Sequence, residues 1–217
     1  MQKEDLIYSN YLCKEKILEI IKICEENSIF YSLYTLDIVI AKSLQYDVSY
    51  YSYEYRLDNE MNIEVVEDIY SFVQNYEKDD FLKITICDSD QIIFSRIMCK
   101  LKEIGGIDVL DVGHMSTKTI KSGAEEIEIA YFYTEITNEN VNKWTALEHL
   151  INLLGISKEE TMGIGDNVND RELVQNSGMG VAMGHSCPAL KEVADDIVMD
   201  NNSSGVAEAL NIYINNT

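Results

Sequence analysis

Three observations predict an α/β protein in two regions, the second of them a doubly wound parallel sheet. Apolar residues recur at helical spacing in some segments and alternate with polar ones in others. From about Thr134 onward, short strand-like and helix-like units alternate through brief connections, the pattern of parallel strands with crossover helices. No segment is low in complexity and no period of about 20–50 residues repeats, which excludes solenoids and propellers. The boundary falls near residue 135, giving regions 1–134 and 135–217. With 217 residues, 46% of them apolar, the chain can form one large or two small domains.

In the first region, Leu6 to Leu12 reads as a strand. Ile17, Ile20, Ile21 and Cys24 then recur at helical spacing, with Asn27 placed to close the helix in a left-handed cap. A strand pair follows from Phe30 to about Tyr55. Within it, Tyr46, Tyr50, Tyr51, Tyr53 and Tyr55 suit a half-exposed strand face or a platform for a substrate's leaving group. Val65, Val66, Ile69, Phe72, Val73 and Tyr76 form a second helical stripe. Leu82 to Cys87 is a strand, and Ile93, Ile97, Leu101 and Ile104 predict a third helix stopped by Gly105-Gly106. Ile107 to Val112 is another strand. From Glu126 the chain alternates strictly, with Ile127, Ile129, Tyr131 and Tyr133 on one face and Glu126 and Glu128 on the other.

The second region reads as helix Lys143 to Leu154, strand Thr161 to Gly165, helix Asp170 to Asn176 and strand Met179 to Met183. A helix opened by Pro188 follows, since proline is favoured at the first helical position. Strand Asp196 to Met199 and a last helix, with Val206, Leu210 and Ile214 on one stripe, complete the chain.

Composition limits what the protein binds. Thirty-eight acidic against 17 basic residues give a formal charge of −21. Nucleic acid and anionic membrane are therefore not expected partners, because both need clustered Lys and Arg. An anionic substrate would be repelled at long range and would need local positive charge from a metal, a lysine or a helix N-terminus. No apolar run approaches the roughly 18 residues of a membrane span, and the first residues lack a signal-peptide layout. A cytoplasmic protein is expected. Cys13, Cys24, Cys87, Cys99 and Cys187 show no CxxC and no nearby His pair, so reduced thiols, mostly core, are expected instead of a zinc site.

The chemistry lies in Thr161-Met-Gly-Ile-Gly-Asp-Asn-Val-Asn-Asp170. An apolar strand ends in glycine, and Asp166, Asn169 and Asp170 crowd the loop that opens a helix. Ligand sites of parallel sheets lie beyond the carboxyl ends of strands, where this loop falls. Two carboxylates and an amide suit a hard cation such as Mg²⁺; the same residues also suit helix capping. Two lookalikes fail. An EF-hand loop would need an oxygen ligand, Gly and Glu where Val168, Arg171 and Ser177 stand. A GxGxxG from Gly163 would need glycine at Val168, and Gly178-Met-Gly180 follows a helix instead of a strand. Lys143 is the second clue. With Asn142 as N-cap it takes the first helical position, the wrong end for a cation unless an anion sits there.

In order and spacing, these residues resemble the Cof-like haloacid dehalogenase phosphatases. The resemblance rests on Lys143 with Ala146-Leu147, Gly165-Asp-Asn-Val-Asn-Asp170, Gly178-Met-Gly-Val-Ala-Met-Gly184, Lys191-Glu-Val-Ala-Asp195 and Ser203-Ser-Gly-Val-Ala207. It implies the C-terminal half of a doubly wound, Rossmann-like core, preceded by a large α/β cap. It also implies Mg²⁺ and a small phosphorylated metabolite, sugar phosphate-like, as substrate. In such enzymes an Asp after the first core strand attacks phosphorus to give an aspartyl-phosphate, and a second Asp two residues later serves as acid and base. Carried onto matching positions, Asp166 would bind Mg²⁺ and Asn169 would contact the phosphate. Asp170 would orient the metal's shell, and Lys143 would neutralise the transferring phosphoryl group.

The chain also departs from the family. Asp-x-Asp-Gly-Thr after an apolar strand does not occur in it, nor does the family's second motif, a Thr or Ser ending another core strand. The nearest substitute, Asp88-Ser-Asp90, lacks the Gly-Thr and suits a helix cap supplied by Asp88. Trp144 stands where the family has glycine, and its ring is expected to narrow the phosphate site. Three readings stay open: a phosphatase whose nucleophile segment lies elsewhere, a non-catalytic remnant that binds a phosphorylated ligand or a partner, and an enzyme using an unrecognised nucleophile. In the family the nucleophile strand lies beside the one ending at Asp166. Thr161–Gly165 is therefore expected at a sheet edge, open to self-association or to a separate N-terminal segment.

Overall fold

The computed structural model describes residues 6–42, 62–110, 115–122 and 125–214, with side chains described outside 111–129. The tyrosine-rich stretch at 46–55 lies outside the described residues. The chain divides into two compact units: Asn10–Asn140, and Val141–Thr217 with the segment ahead of Asn10.

In the first unit, α1 (Lys14–Glu26) buries the expected stripe of Ile17, Ile20, Ile21 and Cys24. It is followed by β1 (Phe30–Thr35), β2 (Ile38–Ala41), β3 (Asn62–Val65), α2 (Ile69–Asn75), β4 (Phe81–Asp88) and α3 (Gln91–Leu101). Then come β5 (Ile107–Val109), β6 (Met115–Ser122) and β7 (Glu125–Asn138), a strand that runs across the boundary read from composition near 135. The sheet order is β3-β2-β1-β4-β7-β5, with β6 also paired to β7. Only β2–β3 is parallel among the described pairings of this sheet. The α1 stripe, Ile69 and Val73 of α2, and Phe94, Ile97, Met98 and Leu101 of α3 share one core with Leu33, Ile84, Ile86 and Ile136 of the sheet.

Several local expectations change here. Leu6–Leu12 is not a strand: Leu12 is buried and its N–H donates to the Phe81 carbonyl at 2.9 Å, but Leu6 and Ile7 are exposed and no ladder forms among the described residues. Asn27 is not left-handed (φ −112°); Ser28 takes that conformation at φ 55°. Val65 belongs to β3, because the Asp68 carboxylate accepts from Ser71 N–H at 2.9 Å and starts α2 at Ile69. In α3, Ile93 is exposed and Phe94 takes the inward place. Of the cysteines, Cys24 and Cys87 are buried, Cys187 half-buried, and Cys13 and Cys99 exposed.

The second unit contains α4 (Lys143–Leu154), β8 (Met162–Gly165), α5 (Arg171–Asn176), β9 (Met179–Met183), α6 (Pro188–Lys191), β10 (Asp196–Val198) and α7 (Gly205–Tyr213). The three strands are parallel in the order β10-β9-β8. Side chains of β9 alternate between two small cores: Val181 and Met183 join Val198 and Ala209, whereas Ala182 joins Val174 and Leu190. Among the described residues β8 pairs with β9 alone, so it is the edge strand anticipated for 161–165. The last helix differs from its expected stripe. Val206, Leu210 and Ile214 are 48%, 39% and 55% exposed, and Gly205 and Ala209 face inward. A Cβ at Gly205 would overlap the Met199 carbonyl, so the helix packs through its smallest side chains and turns the large ones out. No described helix is long and apolar enough to cross a membrane.

Candidate active site

Because β8 and β9 are parallel neighbours, the loops after both leave the same edge of the sheet. After Gly165 the chain makes a 3-10 turn at Val168–Asp170 and enters α5. Asn167 caps that turn, its side-chain oxygen accepting from Val168 N–H at 2.7 Å. Asp170 closes it from the other end. One of its carboxylate oxygens accepts from the N–H groups of Asp166 (3.0 Å) and Asn167 (3.1 Å), and the other pairs with Lys143 Nζ. The Asp170 side chain is 5% exposed. Burial alone would raise its pKa; the Lys143 ammonium and the two amides outweigh that and hold the carboxyl below its usual range. Gly165 makes room for this contact, since a Cβ there would overlap Asp170 Cβ and lie 3.0 Å from its Cγ.

Lys143 reaches the loop from the start of α4. Asn142 is the N-cap: its side chain accepts from Thr145 N–H at 2.9 Å, and the Thr145 hydroxyl accepts from Asn142 N–H at 3.1 Å. Lys143 is thus the first helical residue, and the anion it meets there is Asp170. Its side chain remains 51% exposed. Trp144 beside it is 7% exposed, so its ring is packed inside instead of narrowing an open site.

The other two loop residues face solvent. Asn169 is exposed, and the Asp166 side chain is 58% exposed. Asp166 meets a residue that sequence reasoning missed: His185, whose Nε2 lies 3.4 Å from Asp166 Oδ2. Gly184-His185 follows β9 as Gly165-Asp166 ends β8, and the parallel pairing of the two strands brings these residues together. Two further bonds fix this second loop: Lys191 Nζ donates to the Gly184 carbonyl (2.6 Å) and Ser186 Oγ donates to the Gly165 carbonyl (3.4 Å). Lys191 of the resembling motif therefore braces the loop, whereas Asp195 accepts from Gly180 N–H (2.8 Å) within β9.

In the first unit, Asp90 rather than Asp88 caps α3, accepting from Ile92 N–H (2.8 Å) and Ile93 N–H (3.0 Å). Asp88 accepts from Asp90 N–H at 2.6 Å and closes the preceding turn. Local backbone bonding accounts for both carboxylates.

Asp166 fits a divalent cation as an exposed carboxylate that pairs with no Lys or Arg among the described residues. Asp170 offers less, since both its oxygens are already engaged. Among the described residues no group of three or more His, Cys, Asp or Glu converges. The chain's described side chains thus supply part of a coordination shell, and water and phosphate oxygens usually supply the rest for Mg²⁺.

A family model for haloacid dehalogenase-like hydrolases matches residues 1–210. The phosphoglycolate phosphatase of Methanothermobacter thermautotrophicus is 32% identical over 100 residues, which are 44% of this chain and 45% of that protein. A haloacid dehalogenase-like hydrolase from Bacillus subtilis shares the fold with a TM-score of 0.71 at 18% identity, over 95% of this chain and 73% of that one. A sugar phosphatase of haloacid dehalogenase subclass IIB does so with a TM-score of 0.68 at 17% identity, over 97% of this chain and 70% of its own. The match to the phosphoglycolate phosphatase spans less than half of that relative's length, whereas the family model runs through both units. The chain belongs to the haloacid dehalogenase-like hydrolase family.

Proposed function

We propose that this chain holds the phosphate and the Mg²⁺ of a phosphatase acting on a small phosphorylated metabolite of the sugar-phosphate kind. The observation that carries this reading is the junction of Lys143 and Asp170 beside the exposed Asp166, beyond the carboxyl end of β8. Lys143 is half-exposed at a helix N-terminus, so its ammonium can meet phosphoryl oxygens without first being uncovered. Asn169 offers an amide donor from the same turn. Asp166 holds the ion, and Asp170 keeps the loop closed and aims Lys143. Bound Mg²⁺ supplies charge neutralisation at the transferring phosphoryl group.

The attacking carboxylate comes from residues outside these 217, since Asp-x-Asp-Gly-Thr does not occur among them. The open edge of β8 suits either a separate segment carrying that motif or a second copy of the chain. The test is phosphate release. The purified chain with Mg²⁺ and an aryl phosphate should show no turnover above background, because losing a covalent nucleophile removes several powers of ten in rate. Adding a segment with the motif should restore turnover, and Lys143→Met should abolish the restored rate. Robust turnover by the chain alone that disappears in Asp88→Asn would overturn the proposal. Phosphate-ester binding without turnover, even with the segment present, would mark a non-catalytic remnant.

A further inference from the structure

A cavity of about 650 Å³ opens beside α2 in the first unit. Its size falls within the range of about 300–1,000 Å³ typical of small-molecule sites. Val66, Phe72 and Tyr76 give it apolar walls, half-buried and packed against the core of that unit. The two rings stack with centroids 5.5 Å apart at 27°, and Tyr76 rests on the buried Phe81 at 5.1 Å. The aromatic surface is therefore fixed before any ligand arrives. The charged residues around it are uneven in sign. Asp68, Glu77 and Lys78 line the same cavity. Lys78 is engaged by Asp37 at 2.7 Å, Lys42 by Glu25, and Lys14 by Asp79 at 3.2 Å. Asp68 and Glu77 pair with no Lys or Arg among the described residues. Asp80 adds a third negative charge. It is 6% exposed, and neither of its carboxylate oxygens has a partner at hydrogen-bond geometry. Its charge reaches the cavity through Tyr76, whose hydroxyl pKa is raised by burial first and by Asp80 in addition.

We propose that this cavity binds an organic cation, an ammonium group carried on an aromatic or short apolar body. Phe72 and Tyr76 take the body and attract the charge through their ring faces. Asp68 and Glu77 complement the ammonium from the rim, and the unpaired Asp80 favours a cation beside Tyr76. An anion is disfavoured twice, by this rim and by the formal charge of −21. The ligand is thus opposite in charge to the substrate proposed for the second unit, and the inference does not rest on that reading.

Benzylammonium is the probe, with benzyl alcohol as its neutral counterpart and benzoate as its anionic one. Each is titrated into the full chain, and the NMR shifts of the Phe72 and Tyr76 ring protons are followed. Benzylammonium should move both sets of signals saturably and bind at least about threefold more tightly than benzyl alcohol. Benzoate should move neither. The double variant Asp68→Asn, Glu77→Gln removes both rim charges while asparagine keeps the cap of α2. It should bring benzylammonium down to the affinity of benzyl alcohol and leave benzyl alcohol unchanged. Equal binding of alcohol and ammonium to the wild type, or undiminished ammonium binding to the double variant, overturns the proposal. Shifts that spread over the acidic surface without saturating at Phe72 and Tyr76 show attraction to the overall charge alone and overturn it too. So does the absence of any shift.

Discussion

Replacing Asp170 by alanine removes an acceptor on which two backbone amides and one lysine converge. An amide left buried without a partner costs about 1–3 kcal/mol. Asp166 is exposed and Asn167 half-buried, so water can reach the freed groups, and about 1 kcal/mol each is appropriate. The Lys143 pair has one end 51% exposed and adds no more than about 1 kcal/mol after screening. The expected loss is about 2–3 kcal/mol. Trp144 is the chain's single tryptophan, is 7% exposed and adjoins Lys143, so its fluorescence reports this unit directly. In urea the midpoint should fall by about 1–2 M at unchanged slope, taking a slope of about 1–3 kcal/mol per M. The acid limb supplies an independent check. The folded pKa of Asp170 lies below the ordinary aspartate value of about 3.9. Its stabilisation is therefore complete above that value and is lost as pH falls through the folded pKa. The gap between wild type and Asp170→Ala should be constant near neutrality and shrink below about pH 4. A midpoint shift under about 0.3 M, or a gap that widens in acid, would show that the carboxylate does not hold the loop.

Gly165→Ala should destabilise the same unit by about 1–3 kcal/mol, read by the same fluorescence, because its methyl overlaps Asp170 Cβ; a neutral effect would mean the close approach is not real. Native-state alkylation should reach Cys13 and Cys99 first and Cys24 last, since burial, with a smaller push from Glu25, moves the Cys24 thiol up to about 12. Mass mapping that finds Cys24 modified early would contradict the packing of α1. In hydrogen exchange, the amides of 162–165 should exchange ahead of those of 179–183, and should become protected on self-association or on addition of a complementing segment. Slow exchange of 162–165 in a proven monomer would show that the edge is covered by the chain itself.

Regular elements with a strong period were legible in the sequence. The α1 stripe, β4, α4, β8 and β9 appear close to where periodicity and caps put them. The misses share a physical cause, because apolar spacing says that a face exists but not which neighbour it meets. Val206, Leu210 and Ile214 form a true stripe, yet Gly205 and Ala209 permit the closest approach to β10 and so decide the inward face. Leu6–Leu12 has apolar residues, but among the described residues it makes one backbone-to-backbone bond, at its end, and a strand needs a ladder. His185 was missed because a single histidine has no spacing signature. Only the parallel register of β8 and β9 brings it to Asp166.

The loop 166–170 offered two explanations in sequence, cation binding and helix capping, and its two carboxylates differ in what they meet. Asp170 is buried and saturated, and turns its oxygens to amides and Lys143. Asp166 is exposed, with His185 Nε2 3.4 Å from its carboxylate. Each arrangement depends on the other, since one of the amides that Asp170 binds is that of Asp166 itself. The same division makes Lys143 available. If a phosphoryl oxygen takes over its ammonium, Asp170 still holds both amides and the turn persists. What is given up is a half-exposed ion pair worth no more than about 1 kcal/mol, while charge-assisted bonds to phosphate are the stronger kind. On the function proposed above, Lys143 would move from carboxylate to substrate and back without unfolding the loop that positions Asp166.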